Sequence, residues 1–148
     1  MRVIGVGNRW RSDDAAGLVV AGRLRGTLPG VEVLEREGEP VGLMDAWEGE
    51  DAVVIIDAVS SGAPPGQLHR LDAAERPLPA ELFAASTHHF GLAEAVELAR
   101  ALGRLPQTVI VFGVEGARFD AGDGLSPEVE AAVDQAAAAV REEVERHA

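Results

Sequence analysis

The chain of 148 residues contains no cysteine. Disulfides, thiol nucleophiles and thiolate metal sites are therefore excluded. Any metal must be held by histidine, carboxylate or backbone oxygen. Lysine is missing as well: all thirteen basic residues are arginine. A Walker-type phosphate loop, which needs a lysine, cannot be built. No apolar run approaches the roughly 20 residues of a membrane span. "MRVIGVG" opens directly on a strand pattern rather than a signal peptide, so a cytoplasmic location is expected. Positive charge is scarce overall. A net charge of −12 makes the chain a poor partner for nucleic acid or an anionic membrane, whose phosphates must be neutralised.

What is present is a strongly apolar chain, 47% by residue, enough for one domain with a full-sized core over residues 1–148. Val3–Val6 reads as a buried strand. Ser12 reads as a helix N-cap with Asp13 and Asp14 in the first turn, and Leu18, Ala21 and Leu24 on the helix's inner face. Val31–Leu34 reads as a second strand, and Leu43, Met44 and Trp47 as a short helical stripe after Pro40. "AVVIID", Ala52–Asp57, shows no alternation, as expected of a central parallel strand buried on both faces. "LHRL", residues 68–71, alternates like an edge or hairpin strand. Residues 72–86 read as a connection. Leu92, Val96 and Ala99 mark a third helix, and residues 108–114, "TVIVFGV", another buried strand. In "GLSPEVEAAV" Ser126 reads as a cap, with Pro127 at the first helical position; Val129, Val133, Ala136, Val140 and Val144 form the helix's inner face. Strands alternating with helices predict an α/β sandwich on a mostly parallel sheet.

The stretch "VIGVGNRWRSDDAAG", Val3–Gly17, has the strand and Gly-x-Gly turn of a nucleotide site. The dinucleotide fingerprint requires a third glycine, and Trp10 stands there. Asp13 and Asp14 occupy the helix start that would receive a pyrophosphate, and their charge opposes one. No nucleotide is expected at this turn. As dipole-complementing acids the pair is only partly explained, because it follows a turn at the carboxyl edge of a sheet, where ligands bind. Asp57 leaves the central strand at the same edge; read alone, it is equally a turn or cap residue. In "STHHFGL", residues 86–92, Ser86 or Thr87 reads as a cap and His88 and His89 as surface residues. Together, Asp14, Asp57 and His88 offer two carboxylates and an imidazole. That set suits a borderline divalent ion with open positions for water or substrate.

Four segments in order, "GVGN" with "DDAAG", "VVIIDAVSSGAPPG", "STHHFGLAEAV" and "VFGVE" with "GLSPEVEAAV", resemble the nickel–iron hydrogenase maturation endopeptidases over nearly the whole chain. The resemblance implies a single-domain three-layer sandwich, with a twisted sheet between helices. It implies a cytoplasmic endopeptidase that removes a C-terminal extension from the hydrogenase large-subunit precursor after nickel insertion. It assigns Asp14, Asp57 and His88 to the metal and to catalysis, and Gly5, Gly7 and Asn8 to a supporting turn. Nickel is expected to arrive with the client, and another divalent metal such as zinc to substitute in vitro. The chain departs from the family at Arg9-Trp10, at Ala15-Ala16-Gly17 and at Gly116.

The ion is expected to polarise the scissile carbonyl or activate a water, or a carboxylate to act as general base. The His-Glu-x-x-His helix and the Gly-x-Ser-x-Gly elbow are both missing. Ser60, Ser61 and Ser86 read as turn or cap residues. The competing reading is a non-catalytic metal- or client-binding maturation chaperone on the same fold.

Overall fold

The computed structural model describes residues 1–83 and 91–147. Five strands form one sheet in the order β2-β1-β3-β5-β4: β1 Arg2–Val6, β2 Glu32–Arg36, β3 Ala52–Val59, β4 Leu68–Asp72 and β5 Thr108–Glu115. β2, β1, β3 and β5 are mutually parallel, and β4 closes one edge antiparallel to β5. Among the described residues the α-helices are α1 Ala16–Leu24, α2 Pro40–Trp47, α3 Leu92–Ala101 and α4 Pro127–Arg146. The result is the three-layer α/β sandwich expected. None of the described helices is long and apolar enough to cross a membrane.

Both faces of the sheet are buried, which is why β3 and β5 carry unbroken apolar runs. On one face Val54, Ile56, Ile110 and Phe112 pack with α1 (Val20, Leu24) and α4 (Val133, Val140). On the other, Ile4, Val53, Ile55 and Val111 pack with α2 (Leu43, Trp47) and α3 (Val96). Trp47 is buried, and its Nε1–H donates to the Arg104 carbonyl at 2.9 Å. From Val53 to Ile56 each side chain on β3 fills one of two cores, so no polar residue is tolerated over that stretch.

The chain leaves β1 for β2 on one side and later returns to β3 on the other. The crevice beyond the carboxyl ends of β1 and β3 is thus a topological switch point, where open α/β sheets bind ligands.

Three local expectations are corrected. Ser12 is no N-cap. It sits at φ 50° and opens a 3-10 turn, Ser12–Ala15, its hydroxyl donating to the Asp120 carbonyl at 2.9 Å. α1 begins only at Ala16, and its inner face is Ala16, Gly17, Val20, Ala21 and Leu24, with Leu18 left half-exposed. β3 continues to Val59, so Asp57 lies within the strand, opposite Gly113.

Candidate functional site

One carboxylate, Asp14, lies on the Ser12–Ala15 turn that follows β1, and the other, Asp57, on the neighbouring strand β3. After β1 the backbone turns at Gly7 (φ 155°), whose N–H donates to the Arg36 carbonyl at 3.1 Å. A Cβ at Gly7 would collide with the Asp14 carbonyl oxygen, so only glycine lets the turn close over the acid. Asn8 holds the loop in two ways. Its backbone N–H donates to Asp14 Oδ2 at 3.1 Å, and its side-chain Oδ1 accepts from the Trp10 N–H at 2.9 Å. Gly5 acts differently from the turn. It is a strand residue on which a Cβ would strike the Gly17 carbonyl and the Ala21 side chain, and its smallness brings α1 down onto β1.

Asp14 and Asp57 are both buried, each 8% exposed. Among the described residues Asp57 accepts one hydrogen bond, from the Ala58 N–H at 2.8 Å. Burial pushes its carboxyl well above the usual carboxylate range, the Asp14 charge pushes the same way, and the Ala58 bond opposes both. Two like charges are therefore crowded into a desolvated corner of the switch point. A divalent cation would relieve that arrangement, so this pair fits the oxygen-donor half of the expected set. His88, expected as the third ligand, lies outside the described residues, as does His89. Among the described residues no group of three histidines and acids is gathered closely enough to hold a metal.

Two acids were not singled out as buried anchors by the sequence. Asp13 does not serve the helix dipole. It is fully buried and accepts from the N–H groups of Ala117 (2.8 Å), Arg118 (2.9 Å) and Ser126 (2.7 Å), and from the Ser126 hydroxyl (2.8 Å). Burial pushes its carboxyl up, but the Ser126, Arg118 and Ala117 bonds outweigh it and hold the group below its ordinary value. Ser126 is thus spent on Asp13 rather than on capping α4 with its side chain. The loop after β5 is clasped to the turn that carries Asp14. Glu115, 1% exposed, ends β5 and accepts from the Ser61 N–H (2.8 Å) and hydroxyl (2.5 Å), with His69 Nε2 at 3.1 Å. An acid ending an apolar strand is the signal that pointed to Asp57, and it was equally present in "VFGVE".

The sequence profile of the HycI hydrogenase maturation proteases matches residues 23–143. The Hydrogenase 2 maturation protease of Escherichia coli (strain K12) is 34% identical, over 95% of this chain and 90% of that protein. The hydrogenase expression/formation protein HupD of Thiocapsa roseopersicina is 29% identical over 86% of this chain, which spans only 59% of HupD's length. Among solved structures, the solution structure of an endopeptidase from Escherichia coli superposes with a TM-score of 0.79 at 31% identity, covering 95% of this chain and 90% of that one. With its sheet order, its carboxylate pair at the switch point and a family match across most of its length, the chain belongs to the hydrogenase maturation protease family, a family of endopeptidases.

Proposed function

We propose that the protein is the cytoplasmic endopeptidase that removes the C-terminal extension of a nickel-loaded hydrogenase large-subunit precursor. In this reading Asp14, Asp57 and His88 recognise the client's nickel. The observation that carries it is the pair Asp14–Asp57: two buried carboxylates near enough for the charge of one to act on the other, in a chain of the maturation protease family. Nickel belongs to the substrate here, and when bound it supplies positive charge that fixes and polarises the scissile segment; zinc would substitute in vitro. Asp14, held by the Asn8 N–H, and Asp57, held by β3, bring the negative charge. A carboxylate of the pair also has the chemistry of a general base toward attacking water.

Requiring the ion enforces order, because an unloaded client lacks the anchor. The test compares nickel-loaded and nickel-free precursor, with product mass read by mass spectrometry. Only the loaded precursor should be shortened. Asp14→Asn, Asp57→Asn and His88→Ala should each slow processing by about 100-fold or more, as expected when a charge-stabilising group is lost. Equal cutting of loaded and unloaded client would reject the gate, and normal processing by all three variants would reject the assignment.

A further inference from the structure

Trp10 is the most exposed of the large apolar side chains described, at 66%. The backbone beneath it is pinned. Its N–H donates to Asn8 Oδ1, its carbonyl accepts from the Gly122 N–H at 3.0 Å, and the Ser12 N–H bonds the Gly122 carbonyl at 3.1 Å. The Asp13 clasp secures the same loop. An indole on a fixed backbone has only two side-chain torsions left to order, so a partner seated on it loses little entropy.

Beside the indole runs a groove of about 210 Å³ that starts at Gly7 and Asn8, the turn holding Asp14. It shares Arg9, Leu18 and Glu35 with a second hollow of about 370 Å³. Leu18, excluded from the core, supplies an apolar wall. The charged lining consists of Arg9, Arg25 and Arg36 against Glu35 and Glu37. This patch is net positive on a molecule of charge −12. Arg9 and Arg25 converge on one carboxylate, Glu35, at 3.4 and 2.5 Å. Each guanidinium carries five N–H donors, so most remain available in an arrangement already ordered by Glu35. Paired guanidiniums beside an aromatic face match a carboxylate next to an apolar side chain.

We propose that the Arg9–Trp10 loop and Arg25 form a docking surface for an acidic, apolar-bearing segment of the hydrogenase large-subunit precursor, seated next to the Asp14–Asp57 pair. The inference rests on the function proposed above and adds where the client is gripped and by what chemistry. Charge complementarity and the groove's continuity with the Asp14 turn select this occupant.

The experiment measures kcat and KM on the nickel-loaded precursor of the same organism for the wild type, Trp10→Ala, Trp10→Phe, Arg9→Glu and Leu102→Ala. Leu102 is a control, also exposed (57%) but at the end of α3 leading to the start of β5. Trp10→Ala and Arg9→Glu should raise KM about tenfold, the scale of an interface anchor, with kcat within about twofold of wild type. Trp10→Phe should recover most of the loss, and Leu102→Ala should change nothing. Unaltered KM in Trp10→Ala and Arg9→Glu, with a wild type that cuts, overturns the docking surface alone. A wild type that leaves the loaded precursor intact overturns the function and this inference with it. A wild-type dimer that Trp10→Ala splits in sedimentation, with KM unchanged, gives the face to a second copy and also overturns it.

Discussion

Asp13 and Asp14 are neighbours in sequence and opposites in physics. Asp13 is fully buried with four donors, and Asp14 accepts from the Asn8 N–H while its charge bears on Asp57. Asparagine in place of Asp13 keeps one acceptor oxygen and turns an NH2 toward N–H donors. Because charge-assisted bonds are lost and a buried donor is left facing a donor, Asp13→Asn should cost about 3 kcal/mol. The same change at Asp57 removes a desolvated charge beside Asp14 while its oxygen still accepts from Ala58, so metal-free Asp57→Asn should melt about 3 °C above wild type. Urea and thermal unfolding check both. Equal shifts in one direction would mean that the two sites do not differ as described. The sequence placed Asp14 and Asp57 at one edge because strand ends are local signals. It could not separate Asp13 from Asp14, since the partners of Asp13 lie 104 to 113 residues away and an acid early in a helix reads the same whether it faces water or a distant loop.

Among the elements, the buried strands were legible because β3 up to Ile56 and β5 up to Val114 fill cores on both faces with unbroken apolar runs. The start of α1 was not. Ser-Asp-Asp is a plausible cap sequence, but Asp13 is drawn into the clasp and the helix is delayed to Ala16. What then fixes α1 is Gly17. A Cβ there would drive into the carbonyl oxygens of Ile56, inside β3, and Val6, the last residue of β1, on the two strands that flank the switch point. The close helix–strand contact that a dinucleotide site obtains from the third glycine of its loop is made here by a glycine inside the helix. Gly17→Ala must lift α1 from the sheet and move Asp14 relative to Asp57. It should cost about 2 kcal/mol, in the range of overpacked cores, and lower processing as well. Gly22, on the same helix, is exposed with open space around it. Gly22→Ala should instead stabilise the fold by about 0.5–1 kcal/mol, since helical glycine is entropically costly. Thermal melts of the pair give opposite signs if α1 rests on the sheet at Gly17, and the same sign if it does not.

For the molecule as a whole, the question is what closes a sheet whose last strand runs backwards. Among the described residues β4 is an edge strand whose outer side has no strand partner, and the final helix ends beside it. Arg70 of β4 holds Glu143 of α4 through Nε at 2.7 Å and Nη2 at 3.2 Å, and His147 Nε2 lies 2.9 Å from the same carboxylate. Glu143 is 2% exposed while Arg70 is about half-exposed, so solvent screens the pair from one side and its worth is discounted. The Arg70 hydrogen bond, against the opposing effect of burial and with the help of His147, holds the Glu143 carboxyl below its ordinary value. A carboxylate depressed in the folded state adds stability above its unfolded value and loses it as pH falls through the folded one. Asp13 and Glu115 are depressed as well, so all three act in the same direction. Protonating exposed acids on a chain of net charge −12 works against this by relaxing repulsion, but exposed charges each contribute little. Asp57, raised well above the ordinary range, has the opposite sign and adds stability as pH falls from neutral toward that range. Stability should therefore hold or rise slightly from neutral pH to about pH 5 and decline below the ordinary carboxylate range near pH 4. Glu143 also pairs with Arg146 Nη1 at 3.3 Å, so Glu143→Gln should be about 1 kcal/mol less stable than wild type at pH 7, the discounted worth of its ion pairs with two half-exposed arginines, and the gap should close as pH falls toward 3. Urea midpoints of both proteins across this range provide the check. A gap that stays constant or widens in acid would mean that the joint between β4 and α4 does not depend on the Glu143 charge, and that packing around Val140 and Val144 closes that end of the sheet instead.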